Sequence, residues 1–297
     1  MIVLIHNDME LWDFMTEGLK SRDDFYDIPL NRYCSKLHRF FRKFFYNTRF
    51  PASLIIGKKL RTILTSLKSG DKVVVSAYTQ PCLFYAIVSM VSPDVCISLW
   101  LWNPVKNDAR LISNIELLKS LSVKCCTFDT EDARKLSLNL LNTFYNMNAK
   151  NLVIGDPDIK YDFYFLGAAK DRGRIISDLE ERLSAYKCLF VVPSQPSQYI
   201  TYAENIKNIR SSKCIVEIVQ HQQYDITLRP LEAIANGCKL ITNNIHIKEY
   251  PFYTPNNIFV WGIDNIEDLD DFLNTPYEVL DREIVEKYDV NYWLDRV

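Results

Sequence analysis

Short apolar runs recur along this chain, and polar segments separate them. MIVLI (Met1–Ile5), KVVVSAY (Lys72–Tyr78), CISLWLW (Cys96–Trp102) and VKCCTFD (Val123–Asp129) are largely continuous rather than alternating. Such runs predict strands buried on both faces of a parallel sheet. The stretches Gln80–Val91 and Asp108–Ser120 between them predict helices. The pattern then restarts with the strand YDFYFLG (Tyr161–Gly167). RGRIISDLEERLSAYK (Arg172–Lys187) follows as an amphipathic helix with Ile175, Ile176, Leu179 and Leu183 on one side. CLFVVP, CIVEIV, KLITNN and NIFVWG predict further strands, with the helices TYAENIKNIRSS and PLEAIANG among them.

Alternating strands and helices point to an α/β fold. The segment NMNAKNLVIGDPDIK (Asn146–Lys160) reads as a linker between two halves. The expectation is an N-terminal domain over 1–150 and a C-terminal domain over 151–297, the last helix returning to the first domain. Both are expected to be Rossmann-like and doubly wound, facing a cleft, with ligands at the carboxyl ends of the strands.

The chain has 297 residues, 48% of them hydrophobic, which suffices for two cores. Its net charge of −2 excludes the overall basic bias of a nucleic-acid protein. Eight cysteines form no C-x-x-C pair, and His6, Asp8 and Glu10 interrupt the first apolar run too early for a secretory segment. A reduced, cytoplasmic protein is expected. There is no G-x-G-x-x-G fingerprint and no Walker A sequence, which disfavours dehydrogenases and P-loop NTPases. The four histidines are dispersed, and neither a metal nor a cofactor is expected.

QHQQYDITLRPLEAIANGCKLITNN (Gln220–Asn244) carries the densest candidate chemistry. A polar loop leads from a strand into a helix, with Pro230 suited to its first turn and Gly237 to its end. Free N–H groups at such a helix start favour an anion. Thr227 and Arg229 can add donors, and Glu232 can meet a sugar diol; a capped helix with a solvated loop is the plain alternative. In GAAKDRGR (Gly167–Arg174), three cations gather at a helix start, where they oppose the helix dipole. Lys170 and Arg172 are the stronger anion ligands of the three. In the first half, Trp100 and Trp102 alternate on one strand, and core packing is the ordinary use for at least one of them. Asn103 and Trp102 are acceptor-side candidates. Asp129 and His6 each follow a strand and are candidate bases, against helix capping for Asp129 and a structural role for His6. Asn31–Phe50 mixes six Lys or Arg with Phe40, Phe41, Phe44 and Phe45. It suits an anionic surface at the inner face of the membrane or a lipid-linked glycan acceptor; a Phe face packed on the sheet is the plain alternative, and stacking on nucleic acid a weaker third.

TLRPLEAIANGCKLIT resembles the donor-binding segment of GT-B glycosyltransferases, in which a helix carrying a Glu is followed by a Gly and a strand. More closely, the chain resembles the glycosyltransferase-like proteins encoded in bacterial capsule and lipopolysaccharide gene clusters. The motifs that carry this are DFYFLGAAKDR (Asp162–Arg172), LEAIANGCKLITNN (Leu231–Asn244), FYTPNNIF (Phe252–Phe259), WLWNP (Trp100–Pro104) and TFDTEDA (Thr127–Ala133). They span most of the chain from about Lys72 on. The resemblance implies a GT-B-like fold and a metal-independent transfer from a nucleotide sugar to a hydroxyl of a growing surface glycan. It implies ribose binding by Glu232 and a donor pocket completed by Lys170, Arg172, Gln223, Thr227, Leu228 and Arg229. One departure stands out. Retaining members commonly carry a second Glu with seven residues between the pair; that position is Tyr224 here, with Asp225 one step later as the acidic candidate. The rival expectations are a non-catalytic glycan-binding or assembly protein of the same fold, and a transferase with another anionic donor.

Overall fold

The computed structural model describes residues 1–105, 108–147, 158–219 and 225–297. The chain divides into two compact units, Met1–Asn142 with Leu294–Val297, and Thr143–Trp293. Each unit is built on a parallel sheet flanked by helices, so the protein is an α/β protein with two Rossmann-like units.

The first unit holds β1 (Ile2–His6), β2 (Phe25–Pro29), β3 (Lys72–Ser76), β4 (Cys96–Leu101), β5 (Lys124–Thr127) and β6 (Asn139–Leu140), in the order β2-β1-β3-β4-β5-β6. All five pairings are parallel. Consecutive buried residues in β1 and β3 put side chains into two cores at once. Val3, Ile5, Val73 and Val75 join one core with Leu83, Phe84 and Ile87 of the Pro81–Val88 helix. The chain leaves β1 for β2 on one side and returns to β3 on the other. The strand order therefore reverses between β1 and β3.

The second unit holds β7 (Tyr161–Leu166), β8 (Cys188–Val191), β9 (Ser212–Glu217), β10 (Lys239–Thr242) and β11 (Ile258–Val260), in the order β11-β10-β9-β7-β8. Here the order reverses between β7 and β9. Phe163, Phe165, Cys214, Val216 and Ile241 pack against Ile176, Leu179 and Leu183. The Tyr202–Arg210 and Leu228–Asn236 helices both lie against β9. The unit starts where Tyr145 N–H donates to Tyr288 O (2.8 Å) and Val290 N–H to Tyr145 O (2.8 Å). Phe144 stacks on Trp293 at 3.9 Å.

Several local expectations are corrected. The helix drawn over Arg172–Lys187 runs from Gly173 to Arg182, and Lys170–Arg172 is a separate 3₁₀ turn. Ile176, Leu179 and Leu183 face the core at i, i+3 and i+7, whereas Ile175 is turned aside by one position and is exposed. Two strands lacked an apolar run: β2, and the two-residue, exposed β6.

Candidate functional site

In the second unit the polar side chains gather where β7 and β9 end. The Leu228–Asn236 helix starts at Thr227, whose hydroxyl accepts from Arg229 N–H (3.0 Å) and donates to Glu217 Oε1. Thr242 donates to the other Glu217 oxygen (2.6 Å). Burial, partly offset by these two donors, pushes the Glu217 carboxyl above its ordinary value. Leu228 opens the helix, and Pro230 stands in its first turn, where no intrahelical N–H bond is lost. Gly237 ends the helix in the left-handed region, at φ 60°.

Glu232 points inward from this helix and is 3% exposed. Its Oε2 accepts from Arg229 Nη1 at 2.6 Å. Its Oε1 accepts from the Tyr202 hydroxyl (2.9 Å) and Asn205 Nδ2 (3.1 Å). The Tyr145 hydroxyl lies 2.8 Å from that of Tyr202. Burial first, and then the Glu232 charge, hold both phenols well above their ordinary range, so they stay protonated donors. Asn205 Oδ1 accepts from the Tyr164 hydroxyl (3.0 Å). The Glu232 carboxylate is thus surrounded by donors from its own unit.

Arg229 and Arg172 bring two guanidinium groups to the end of this sheet. Arg229 Nη2 donates to Leu166 O (3.0 Å), the last residue of β7. Arg172 donates from Nη1 to Ile218 O, just past β9, and from Nη2 to Ala168 O (2.6 Å). Its Nε is buried and has no partner among the described residues. Burial first, and Arg229 among the charges, lower the Arg172 pKa. A Cβ at Gly167 would stand 3.2 Å from Arg172 Nη2, so this glycine makes room for the guanidinium. Lys170 is exposed and held at φ 45°, a left-handed conformation that costs a non-glycine residue about 1 kcal/mol. Asp225 is half-buried beside Tyr250; burial first, and then the Asp225 charge, raise the Tyr250 phenol. Gln223 and Tyr224 lie outside the described residues.

In the first unit, His6 ends β1 and is 1% exposed. Its Nε2 is 2.7 Å from Asp27 Oδ1, and its Nδ1 is 2.6 Å from Asn7 O. Its ring lies 5.1 Å from Trp12, which lies 5.3 Å from Trp102. Trp100 is fully buried, Trp102 half-buried and Asn103 exposed. Asp129 caps the Thr130–Leu136 helix by accepting from Asp132 N–H at 2.8 Å. His6 and Trp102 thus belong to one chain of rings.

Four side chains that carried no sequence signal stand at the reversal between β1 and β3. Asn7 Oδ1, Ser76 Oγ, Tyr78 Oη and Gln80 Oε1 are buried and have no hydrogen-bond partner among the described residues. Each such atom costs free energy unless something else satisfies it. Gln80 stands at the N-cap of the Pro81–Val88 helix, yet its side chain makes no cap bond. Ala77 between them is held at φ 65°. Burial first raises the Tyr78 phenol, and Arg42 works in the opposite sense. The signal that locates them is the order of the strands, which requires β2 to be placed first.

Among the described residues no group of three or more His, Cys, Asp or Glu side chains is arranged to hold a metal ion. No family model matches the chain, and no curated protein matches it. Among solved structures it is similar to one described as accessory secretory protein 1, 2 and 3 in Streptococcus pneumoniae. The TM-score is 0.44 at 12% identity, over 80% of this chain and 52% of the other. The chain spans about half the length of that one.

Proposed function

We propose that the protein transfers a glycosyl group from a nucleotide-activated donor to a hydroxyl of a surface glycan. The observation that carries this reading is the meeting of Arg172 and Arg229 at the ends of β9 and β7, just ahead of the Leu228–Asn236 helix. Two guanidinium groups and a helix start favour an anion, and a diphosphate is the anion that such a sheet end accommodates. In the reaction, the acceptor oxygen bonds to the anomeric carbon as the bond from that carbon to the diphosphate oxygen breaks. The hydroxyl proton passes to a base, and the negative charge that grows on the diphosphate is met by Lys170, Arg172 and the helix N–H groups. Thr227 and Leu228 present those N–H groups, and Gln223 belongs to the same loop.

Among the candidate bases, His6 has both ring nitrogens engaged and is better suited to positioning its neighbours. Asp129 is held as a helix cap. Asp225, half-buried beside Tyr250, remains the acidic group nearest in sequence to the donor loop. On the acceptor side, Asn103 and Trp102 are joined by the unsatisfied Asn7, Ser76, Tyr78 and Gln80, whose donors and acceptors suit sugar hydroxyls.

One observation favours a second reading. Glu232 is enclosed by Arg229, Tyr202 and Asn205, so it offers a ribose little access. A glycan-binding protein of the same fold, without transfer, accounts for that enclosure directly. Calorimetric titration with UDP, GDP, ADP and CMP separates the two. The transferase reading expects one of them to bind, with affinity reduced by added salt. Binding of none, together with binding of an oligosaccharide, leaves the second reading standing and removes the first.

A further inference from the structure

We propose that the exposed face of the Lys36–Phe44 helix docks on an anionic lipid bilayer. This helix starts at Ser35, which caps it in a box with His38, and His38 also reaches Ser53 O (3.2 Å). It is therefore fixed to the unit from one side. At about 100° per residue, its nine positions sort into three arcs. Phe41, His38 and Arg42 face inward. Arg42 is 5% exposed and donates to Ile55 O (2.8 Å) and Cys34 Sγ (3.1 Å). Phe41 packs with Phe45 and Phe50.

The outward half is divided lengthwise. Leu37, Phe40 and Phe44 fall within about 60° of one another, and they are 58%, 48% and 64% exposed. Phe40 and Phe44 lie 4.3 Å apart, so the apolar strip is continuous. Lys36, Arg39 and Lys43 occupy the adjoining arc of about 60°. All three are exposed, and none has an ion-pair partner among the described residues. A contiguous exposed strip of large apolar side chains marks a surface at which a partner or a membrane docks.

Charge identifies the occupant. From Ile28 to Gly70 the chain has ten Lys or Arg and no Asp or Glu, although its net charge is −2. An apolar strip beside unpaired cations is the arrangement of an interfacial helix: rings enter the boundary between headgroups and acyl chains, and cations stay among anionic headgroups. A second copy of this face would bring the same cations together and repel. This inference stands apart from the glycosyl-transfer reading and fails or holds without it.

The test is sedimentation with vesicles of equal parts phosphatidylcholine and phosphatidylglycerol, against phosphatidylcholine alone, at low and high salt. Binding to the anionic vesicles only, and its loss at high salt, is expected. Replacing Lys36, Arg39 and Lys43 by Ser is expected to weaken binding roughly a hundredfold, because each cation near an anionic surface contributes about a factor of five. Replacing Leu37, Phe40 and Phe44 by Ser removes the inserting groups; it is expected to abolish vesicle binding while the circular dichroism spectrum is kept, since these side chains face out. Three results overturn the proposal. One is no sedimentation of the wild type at low salt, or equal sedimentation with neutral vesicles. Another is self-association in ultracentrifugation that the Ser variants lose, which assigns the face to a second copy. The last is binding to polyglutamate as tight as to the vesicles, which assigns it to an acidic chain.

Discussion

The Arg229 guanidinium lies 2.6 Å from the Glu232 carboxylate, one turn along the same helix, and both are held by the side chains of Tyr202 and Asn205 or by Leu166 O. The pair joins the helix to the end of β7 and to the Tyr202–Arg210 helix. Removing one partner of such a buried pair leaves the other uncompensated, which costs about 3–5 kcal/mol. Glu232→Ala is therefore expected to lower the unfolding free energy by at least about 3 kcal/mol, measured in urea. Glu232→Gln, which keeps the shape and the acceptor, is expected to lose less. An Ala variant as stable as the wild type would show that Glu232 is free for a ligand.

Lys170 and Arg172 separate binding from stability. Arg172 holds the ends of β7 and β9 together through Ala168 O and Ile218 O, whereas Lys170 is exposed. Lys170→Ala is expected to weaken nucleoside diphosphate binding about tenfold, the size of one charge-assisted hydrogen bond, with Tm unchanged. Arg172→Ala is expected to lower both affinity and Tm. Calorimetry and thermal melting on the same samples read the two effects; equal behaviour of the variants would merge the two roles.

The strands that were legible in sequence are those whose neighbours cover both faces. KVVVSAY reads as β3 because Val73, Val74 and Val75 each meet a core. β2 escaped because its sequence, FYDIP, breaks the apolar run at Asp27 and ends in Pro29, which an edge strand tolerates. The missing strand hid the first unit's candidate site. Asn7, Ser76, Tyr78 and Gln80 become neighbours of a reversal only when β2 lies beyond β1. In the second unit Arg172, Thr227 and Glu232 stood out as polar groups at turns. Their partners did not: Tyr145, Tyr164, Tyr202 and Asn205 come from distant segments and read as ordinary helix and strand residues. Arg172 stood out as a phosphate ligand, and its engagement with two backbone carbonyls depends on the fold of the Gly167–Ala169 turn.

Glu217 makes stability depend on pH. Burial raises its folded-state pKa above the ordinary glutamate value. The folded state then holds a proton that the unfolded chain has released. Stability contributed in this way is full below the unfolded pKa, near 4.3, and falls as pH rises toward the raised folded value. Glu217→Gln removes this slope while an amide oxygen still accepts from Thr227 or Thr242. Urea unfolding from pH 4 upward is expected to show the wild type losing stability relative to the variant across that window. Parallel curves would mean that Glu217 is charged in the folded protein at low pH as well.

Tyr78→Phe separates the needs of the fold from those of a ligand. The Tyr78 hydroxyl is buried with no partner among the described residues, and its ring packs on the core of the first unit. If only the fold mattered, removing the oxygen would relieve a desolvation cost of about 1–3 kcal/mol and leave the ring in place. The variant is therefore expected to be more stable by about 1 kcal/mol in urea, the lower end of that range. If the hydroxyl serves a sugar, the same change is expected to weaken oligosaccharide binding about tenfold. Gain of stability with loss of binding is the signature of an oxygen kept for a ligand. Loss of stability would mean that an internal group satisfies the hydroxyl. Unchanged binding in a stabilised variant would exclude Tyr78 from the acceptor side and leave Asn7, Ser76 and Gln80 to be tested in turn.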